Sequence, residues 1–159
     1  MQVPLTGSEL ASPSRRFTPA KANQKSPDPK AQITLDAKQL ITARVVTVPS
    51  KARAGRTVRV HVTMTPSVTQ KAHWNNEAEP LRLWVDPPKG WQASRRLISV
   101  KQPKKPESKE SRLLDFEVKL PRNAKGKHTL KTYALCYVCE DSGLCYFLRQ
   151  NINIAIEVE

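Results

Sequence analysis

The chain has 159 residues, enough for one domain with its own hydrophobic core and a tail. Its 27 basic and 14 acidic residues give a net charge of +13, which favours an acidic partner surface over a basic one. No apolar run reaches the roughly 18 residues that a membrane-spanning helix needs, so we predict no membrane span. No apolar stretch of signal-peptide length follows Met1, and we expect no signal peptide in this sequence.

Residues 1–31 differ in composition from the rest of the chain. They are rich in Ser, Ala, Lys and Arg without apolar periodicity, and they contain Pro4, Pro13, Pro19, Pro27 and Pro29. Such a composition predicts a disordered arm or linker. The arm has five basic and two acidic residues, so ten of the thirteen excess positive charges belong to residues 32–159.

Residues 32–159 consist of short apolar segments separated by turn residues, and no helical pattern occurs among them. We predict eight strands, at residues 32–35, 41–48, 57–65, 81–85, 92–100, 113–120, 129–139 and 145–158. Apolar and polar residues alternate most clearly in 57–65 and in the last strand, as is typical of half-buried antiparallel strands. The sequence therefore predicts an all-β domain at 32–159, an immunoglobulin-like antiparallel β-sandwich.

All three cysteines lie near the end of the chain, at the last predicted hairpin. Residues 140–144 form a five-residue loop of the kind that closes a hairpin, with Cys139 and Cys145 at its two ends. Opposed residues have Cα atoms about 4.5–5.5 Å apart, which suits a disulfide. Cys136 and Cys139 would lie about 10 Å apart on opposite faces of one strand. We therefore predict a Cys139–Cys145 disulfide and a buried Cys136 that packs as a small hydrophobic residue.

Residues 136–146 read Cys-Tyr-Val-Cys-Glu-Asp-Ser-Gly-Leu-Cys-Tyr. This run resembles the active-site hairpin of the N-terminal (alpha) domain of the thiol:disulfide interchange protein DsbD. The cysteine spacing, Asp141, Gly143 and Tyr146 match, whereas the rest of the chain matches only in its pattern of strands and turns. The resemblance implies an immunoglobulin-like sandwich whose cysteine pair receives electrons from the membrane part of its own protein and passes them to periplasmic partners.

The resemblance also implies roles for individual residues. Cys139 and Cys145 would be the reacting pair. The resemblance points to Cys145 as the attacking cysteine, but nothing in the sequence itself distinguishes the two. The surrounding site would be shaped by Tyr137, Asp141, Gly143, Tyr146 and Phe147. In the DsbD domain a loop caps the cysteine pair with an aromatic side chain. Here residues 92–111 contain no aromatic residue, and Leu97 and Ile98 are the candidate cap.

The predicted function is thiol–disulfide exchange with a thioredoxin-like partner, without a cofactor, in the periplasm or another extracytoplasmic compartment, where disulfides persist. The competing interpretation is a non-enzymatic sandwich that docks a partner protein, with the disulfide as a structural staple. Nucleic-acid binding is less favoured because no known binding motif accompanies the basic residues. A zinc site of three cysteines and a histidine is disfavoured because Cys136 would face away from Cys139.

The sequence also predicts the positions of residues 73–76 and of the three tryptophans. Residues 73–76, His-Trp-Asn-Asn, are predicted to lie in a loop, and the sequence leaves open whether this loop lines the site. Trp74, Trp84 and Trp91 are predicted to belong to the core rather than to a ligand-binding surface.

Overall fold

The computed structural model describes residues 17–21 and 23–159, and no helix long and apolar enough to cross a membrane occurs among them. The described chain forms eleven strands: β1 Ile41–Val48, β2 Lys51–Ala52, β3 Thr57–Pro66, β4 Ala72–Asn75, β5 Arg82–Asp86, β6 Gln92–Ala93, β7 Leu97–Ser99, β8 Glu107–Ser108, β9 Arg112–Lys119, β10 Gly126–Glu140 and β11 Cys145–Val158.

The strands form two sheets. The smaller sheet has the order β1-β3-β9-β6, and the larger has the order β2-β11-β10-β4-β8, with β5 paired to β10 and β7 paired to β5. The named strands pair antiparallel except β2 with β11. Apolar side chains from both sheets form one core between them. The predicted all-β sandwich is confirmed.

Alternation of side chains along the long strands builds this core. In β3, Val58, Val60, Val62 and Met64 are buried, while the residues between them are only partly so. The apolar residues at every second position of β11, from Ile152 to Val158, are buried in the same way. All three tryptophans are at most 7% exposed. Trp74 and Trp91 belong to the core between the sheets, as predicted, whereas Trp84 is buried in a separate small apolar cluster.

The structure differs from the predicted strands where pairing depends on distant neighbours. The short strands β2, β4 and β8 were not predicted, because four residues or fewer carry too little periodicity to be recognised. β4 covers most of the predicted loop at 73–76, since it pairs with the end of β10. Residues 92–100 form two strands, β6 and β7, which belong to different sheets. Residues 32–35 contribute a single bridge, from Leu35 to Arg149.

Part of the predicted arm lies against the sandwich. Residues 1–16 and 22 are outside the described residues, but the Ala20 N–H donates to the Ala93 carbonyl at 2.9 Å. Asp28 is buried, and its carboxylate accepts a hydrogen bond from Arg149 Nη1 at 2.8 Å. We call residues 26–35 the N-terminal clip. Its Ile33 packs on a small apolar cluster on the outer face of the larger sheet, formed by Trp84, Tyr133 and Leu135.

Candidate functional site

The last hairpin positions the cysteine pair. Strands β10 and β11 are paired over fourteen consecutive residue pairs, and the last pair is Cys139 with Cys145. Their sulfur atoms are bonded at 2.02 Å, which confirms the predicted disulfide. The loop is closed by hydrogen bonds from the Glu140 N–H to the Leu144 carbonyl and from the Gly143 N–H to the Glu140 carbonyl, both at 2.8 Å. Gly143 has a φ of +110°, a conformation that side chains rarely allow.

The disulfide lies on the outer face of the larger sheet. Side chains two residues apart share a face, so Tyr137 and Phe147, which pair with each other, lie on the same face as the cysteine pair. Their rings are stacked with centroids 4.3 Å apart and planes 8° from parallel. We call this surface, formed by Tyr137, Cys139, Cys145 and Phe147, the disulfide face. The structure thus brings four of the predicted site residues together.

Tyr146 lies on the opposite face of β11, next to the core. Its hydroxyl donates to Glu140 Oε1 at 2.5 Å, and Lys38 Nζ lies 3.4 Å from the same oxygen. This hydrogen bond lowers the pKa of the Glu140 carboxyl and raises the pKa of the Tyr146 hydroxyl. Tyr146 therefore fixes the base of the hairpin loop and does not cover the disulfide.

The three cysteines have different environments. Cys139 is 4% exposed, whereas Cys145 is exposed to solvent. Cys136 is a free thiol on the inner face of β10, fully buried as predicted. Burial, with a smaller contribution from the negative charge of Asp36, raises the pKa of the Cys136 thiol to about 12. Cys136 is therefore unable to supply a thiolate near neutral pH.

A cluster of charged side chains stands beside the disulfide. His73 on β4 is the direct partner of Cys139 in the strand register. Its ring Nδ1 is 2.8 Å from Asp141 Oδ1, and its Nε2 is 2.6 Å from Glu107 Oε2. Lys109 Nζ is 3.0 Å from the other Asp141 oxygen. Hydrogen bonds from His73 and then from Lys109 hold the pKa of the Asp141 carboxyl below its usual value.

These four side chains, with Ser108, line a surface depression of about 330 Å³. Three segments far apart in sequence meet there. The hairpin loop is also fixed from the β3–β4 side, where the Asp141 N–H donates to the Lys71 carbonyl at 2.8 Å. Among residues 17–21 and 23–159, no group of three or more His, Cys, Asp or Glu side chains has an arrangement that could hold a metal ion.

The candidate cap residues lie elsewhere. Ile98 is buried in the core, and Leu97 pairs with Trp84. Trp84 in turn pairs with Tyr133, which is six residues, or about 20 Å, before Cys139 on β10. The segment that does reach the hairpin is 107–109, through its contacts with His73 and Asp141 described above.

The sequence predicts the cysteine pair and Asp141, but not the rest of the charged cluster. The sequence predicts a loop at His73 and gives no role to Glu107 or Lys109. The single signal that pointed toward them was the position of 73–76 as a polar and aromatic segment with no other assigned role. The pairing of β4 with both β10 and β8 brings these residues together, and it is not encoded in any local pattern.

Comparisons with known proteins give no family. No protein-family model matches the chain, and no curated protein matches it significantly. Among solved structures, AggA, the major subunit of aggregative adherence fimbriae type I from Escherichia coli, is 13% identical with a TM-score of 0.38; the match covers 80% of this chain and 98% of AggA. The sporulation control protein Spo0M from Bacillus subtilis is 10% identical with a TM-score of 0.33, covering 76% of this chain and 49% of Spo0M.

A third structure is the PKD domain of an M14-like peptidase from a Thermoplasmatales archaeon. It is 11% identical with a TM-score of 0.32, and the match covers 72% of this chain and 92% of that domain. None of these three structures is a DsbD domain. The TM-scores and identities are too low to support an inference about function, so the assignment of the fold rests on the strand pairing itself.

Proposed function

We propose that the Cys139–Cys145 disulfide is a thiol–disulfide exchange site, through which the domain passes electrons between a thioredoxin-like donor and an extracytoplasmic acceptor protein. The observation that carries the proposal is the position of this bond. It joins the ends of two strands that are already paired along fourteen residues, and one of its two cysteines is exposed to solvent.

A structural staple has little to stabilise at this position. The bond spans a sequence separation of 6, and closing so short a loop contributes about 2 kcal/mol in the chain-entropy account. The hairpin hydrogen bonds already close the same loop, so the gain is smaller still. An exposed disulfide that contributes little to stability is of the kind that exchanges with other thiols.

Exposure distinguishes the two sulfur atoms. A partner thiolate attacks the Cys145 sulfur, because Cys145 is exposed and Cys139 is buried. The sulfur–sulfur bond breaks, its electron pair leaves with Cys139 as a thiolate, and a mixed disulfide forms between the partner and Cys145. The partner's second thiolate then attacks the partner's own sulfur and releases Cys145. Two protons from solvent complete the dithiol, the partner is oxidised to its disulfide, and the dithiol reduces the next protein in reverse order.

Two features of the surroundings suit a protein partner. The stacked Tyr137 and Phe147 offer an apolar surface next to the bond, and Leu144 in the hairpin loop is 61% exposed. The excess of positive charge favours association with an acidic partner surface. The persistence of the bond favours a periplasmic or other extracytoplasmic compartment.

The deciding experiment is differential alkylation with mass spectrometry across a series of thiol redox buffers. We expect Cys139 and Cys145 to interconvert as a pair near about −200 mV, while Cys136 stays protected in the folded protein. As a matched pair of variants, Cys139→Ser should form a stable mixed disulfide with an activated small disulfide, whose second thiol leaves, faster than Cys145→Ser does. A pair that resists reduction down to about −300 mV, or until the protein unfolds, would make the bond a staple and the domain a docking module.

A further inference from the structure

His73 is the residue across β4 from Cys139. Directly opposed residues in an antiparallel pair point to the same face, with Cβ atoms about 4.5–5.5 Å apart. The side chain of His73 therefore begins next to that of Cys139, whose sulfur leaves when Cys145 is attacked. His73 is 8% exposed, so this neighbour is held in place rather than free to swing into solvent.

The ring of His73 has hydrogen-bonding partners on both sides. Nδ1 faces a carboxylate of the hairpin loop, Asp141, and Nε2 faces a carboxylate of β8, Glu107. A neutral imidazole has one N–H, so it can donate to only one of them, whereas the imidazolium donates to both. Lys109 Nζ, which lies 3.0 Å from the other oxygen of Asp141, adds a positive charge to the same depression. The arrangement favours a positively charged His73 ring that is held in a fixed position beside the disulfide face.

Cys139 needs such a cation more than Cys145 does. A thiolate on a buried cysteine loses the solvation that an exposed thiolate keeps. Cys136, three residues earlier on the same strand, shows the effect of burial: with a smaller contribution from the negative charge of Asp36, burial raises the pKa of its thiol to about 12. A positive charge beside a cysteine acts in the opposite direction and favours the thiolate.

We propose that His73 is the charge partner of Cys139: as an imidazolium held by Asp141 and Glu107, it stabilises the Cys139 thiolate that is released when a partner attacks Cys145. This inference rests on the proposed exchange function. In the step concerned, the electron pair of the broken sulfur–sulfur bond remains on the Cys139 sulfur, and His73 keeps its protons. The role of His73 is electrostatic, and the two carboxylates are positioning residues.

The test is the rate of reduction by dithiothreitol, normalised to the thiolate form of the reagent, over a range of pH. We expect His73→Gln to slow the reduction roughly threefold, because the leaving Cys139 thiolate loses the positive charge that stabilises it. His73→Lys, which restores a positive charge, should recover most of the rate. The matched control is His61→Gln on the other sheet, whose histidine also lies near a carboxylate, that of Asp115, and this variant should react as the wild type does.

A second measurement uses the wild-type protein and so does not depend on whether a variant folds. We expect NMR of the His73 ring to show a proton on each of its two nitrogens under the conditions in which the reduction rates are compared, because each nitrogen faces a carboxylate. A ring that has a proton on only one nitrogen there, or His73→Gln reacting as fast as the wild type, overturns the role of His73. A wild-type disulfide that fails to react while the protein is folded instead overturns the exchange function, so the two failures are distinguishable.

Discussion

The N-terminal clip is attached to the sandwich by one buried carboxylate. Asp28 is 6% exposed and accepts hydrogen bonds from Arg149 at 2.8 Å and from the backbone N–H groups of Gln32 at 2.9 Å and Ile33 at 3.2 Å. The Asp28 N–H donates in turn to the Tyr133 hydroxyl at 2.9 Å. Replacing Asp28 by Asn keeps the shape but removes the charge, so the Arg149 guanidinium is left without its counter-charge.

The size of the effect follows from burial of both partners. The side chains of Asp28 and Arg149 are 6% and 12% exposed, and breaking a buried ion pair on one side costs about 3–5 kcal/mol. Detachment of the clip would let water reach Arg149, which limits the loss of unfolding free energy. We therefore expect Asp28→Asn to lower the free energy of unfolding by about 3 kcal/mol, at the low end of that range. The exposed pair of Asp86 and Arg96 is the matched control, and Asp86→Asn should cost less than about 1 kcal/mol.

Urea unfolding at several pH values measures the loss of unfolding free energy in each of the two variants. Burial acts to raise the pKa of Asp28, but the hydrogen bonds from Arg149 and from the backbone outweigh it, and the folded-state pKa is lowered. A carboxyl with a lowered folded pKa contributes its stability above the unfolded pKa of about 3.9 and loses it as pH falls through the folded value. The difference in the free energy of unfolding between the wild type and Asp28→Asn should therefore have its largest value near neutral pH and become smaller below about pH 4. Equal unfolding midpoints for Asp28→Asn and Asp86→Asn near neutral pH would refute the reasoning.

Two further predictions concern the hairpin. Cys136 should resist alkylation in the folded protein at about pH 8, because its thiol is buried and has a pKa of about 12. In urea it should react only at the rate at which the protein unfolds. Rapid labelling in native buffer would contradict this prediction. Gly143→Ala should lower the free energy of unfolding by about 1–2 kcal/mol in urea titrations, because the φ of +110° strains any side chain although no atom blocks a Cβ there. Ser142→Ala is its control, expected within about 0.5 kcal/mol of the wild type, and equal midpoints for the two variants would show that the loop relaxes.

The sequence was informative where the structure is local. The pairing of Cys139 with Cys145 depends on a loop and a register contained within eleven residues, so spacing and strand geometry are enough to predict it. The burial of Cys136 follows from the same alternation of faces. The long strands could be predicted because each has several apolar residues at every second position.

The charged part of the site could not be predicted because its members are distant in sequence. His73 and Asp141 are separated by 68 residues, and the partners meet only because β4 and β8 continue the larger sheet beyond β10. The clip is a similar case, since Asp28 and Arg149 are 121 residues apart. A composition rich in proline and lysine predicted disorder there, and one buried aspartate is too small a signal to reverse that prediction. Long-range pairing, rather than local propensity, decides both features.

The outer face of the larger sheet is covered at one end and open at the other, and this difference supports the exchange proposal. At one end the clip covers Trp84, Tyr133 and Leu135, and its attachment provides the stability that this outer cluster needs. At the other end the strand pairing is complete, so a staple would add little, yet the disulfide is there with Cys145 in solvent. Phe147 contacts the covered cluster and also stacks on Tyr137, which makes the apolar surface continuous up to the bond. A covered end and an open, apolar end carrying an accessible sulfur are what a domain needs if it is to dock one partner at a time over its disulfide.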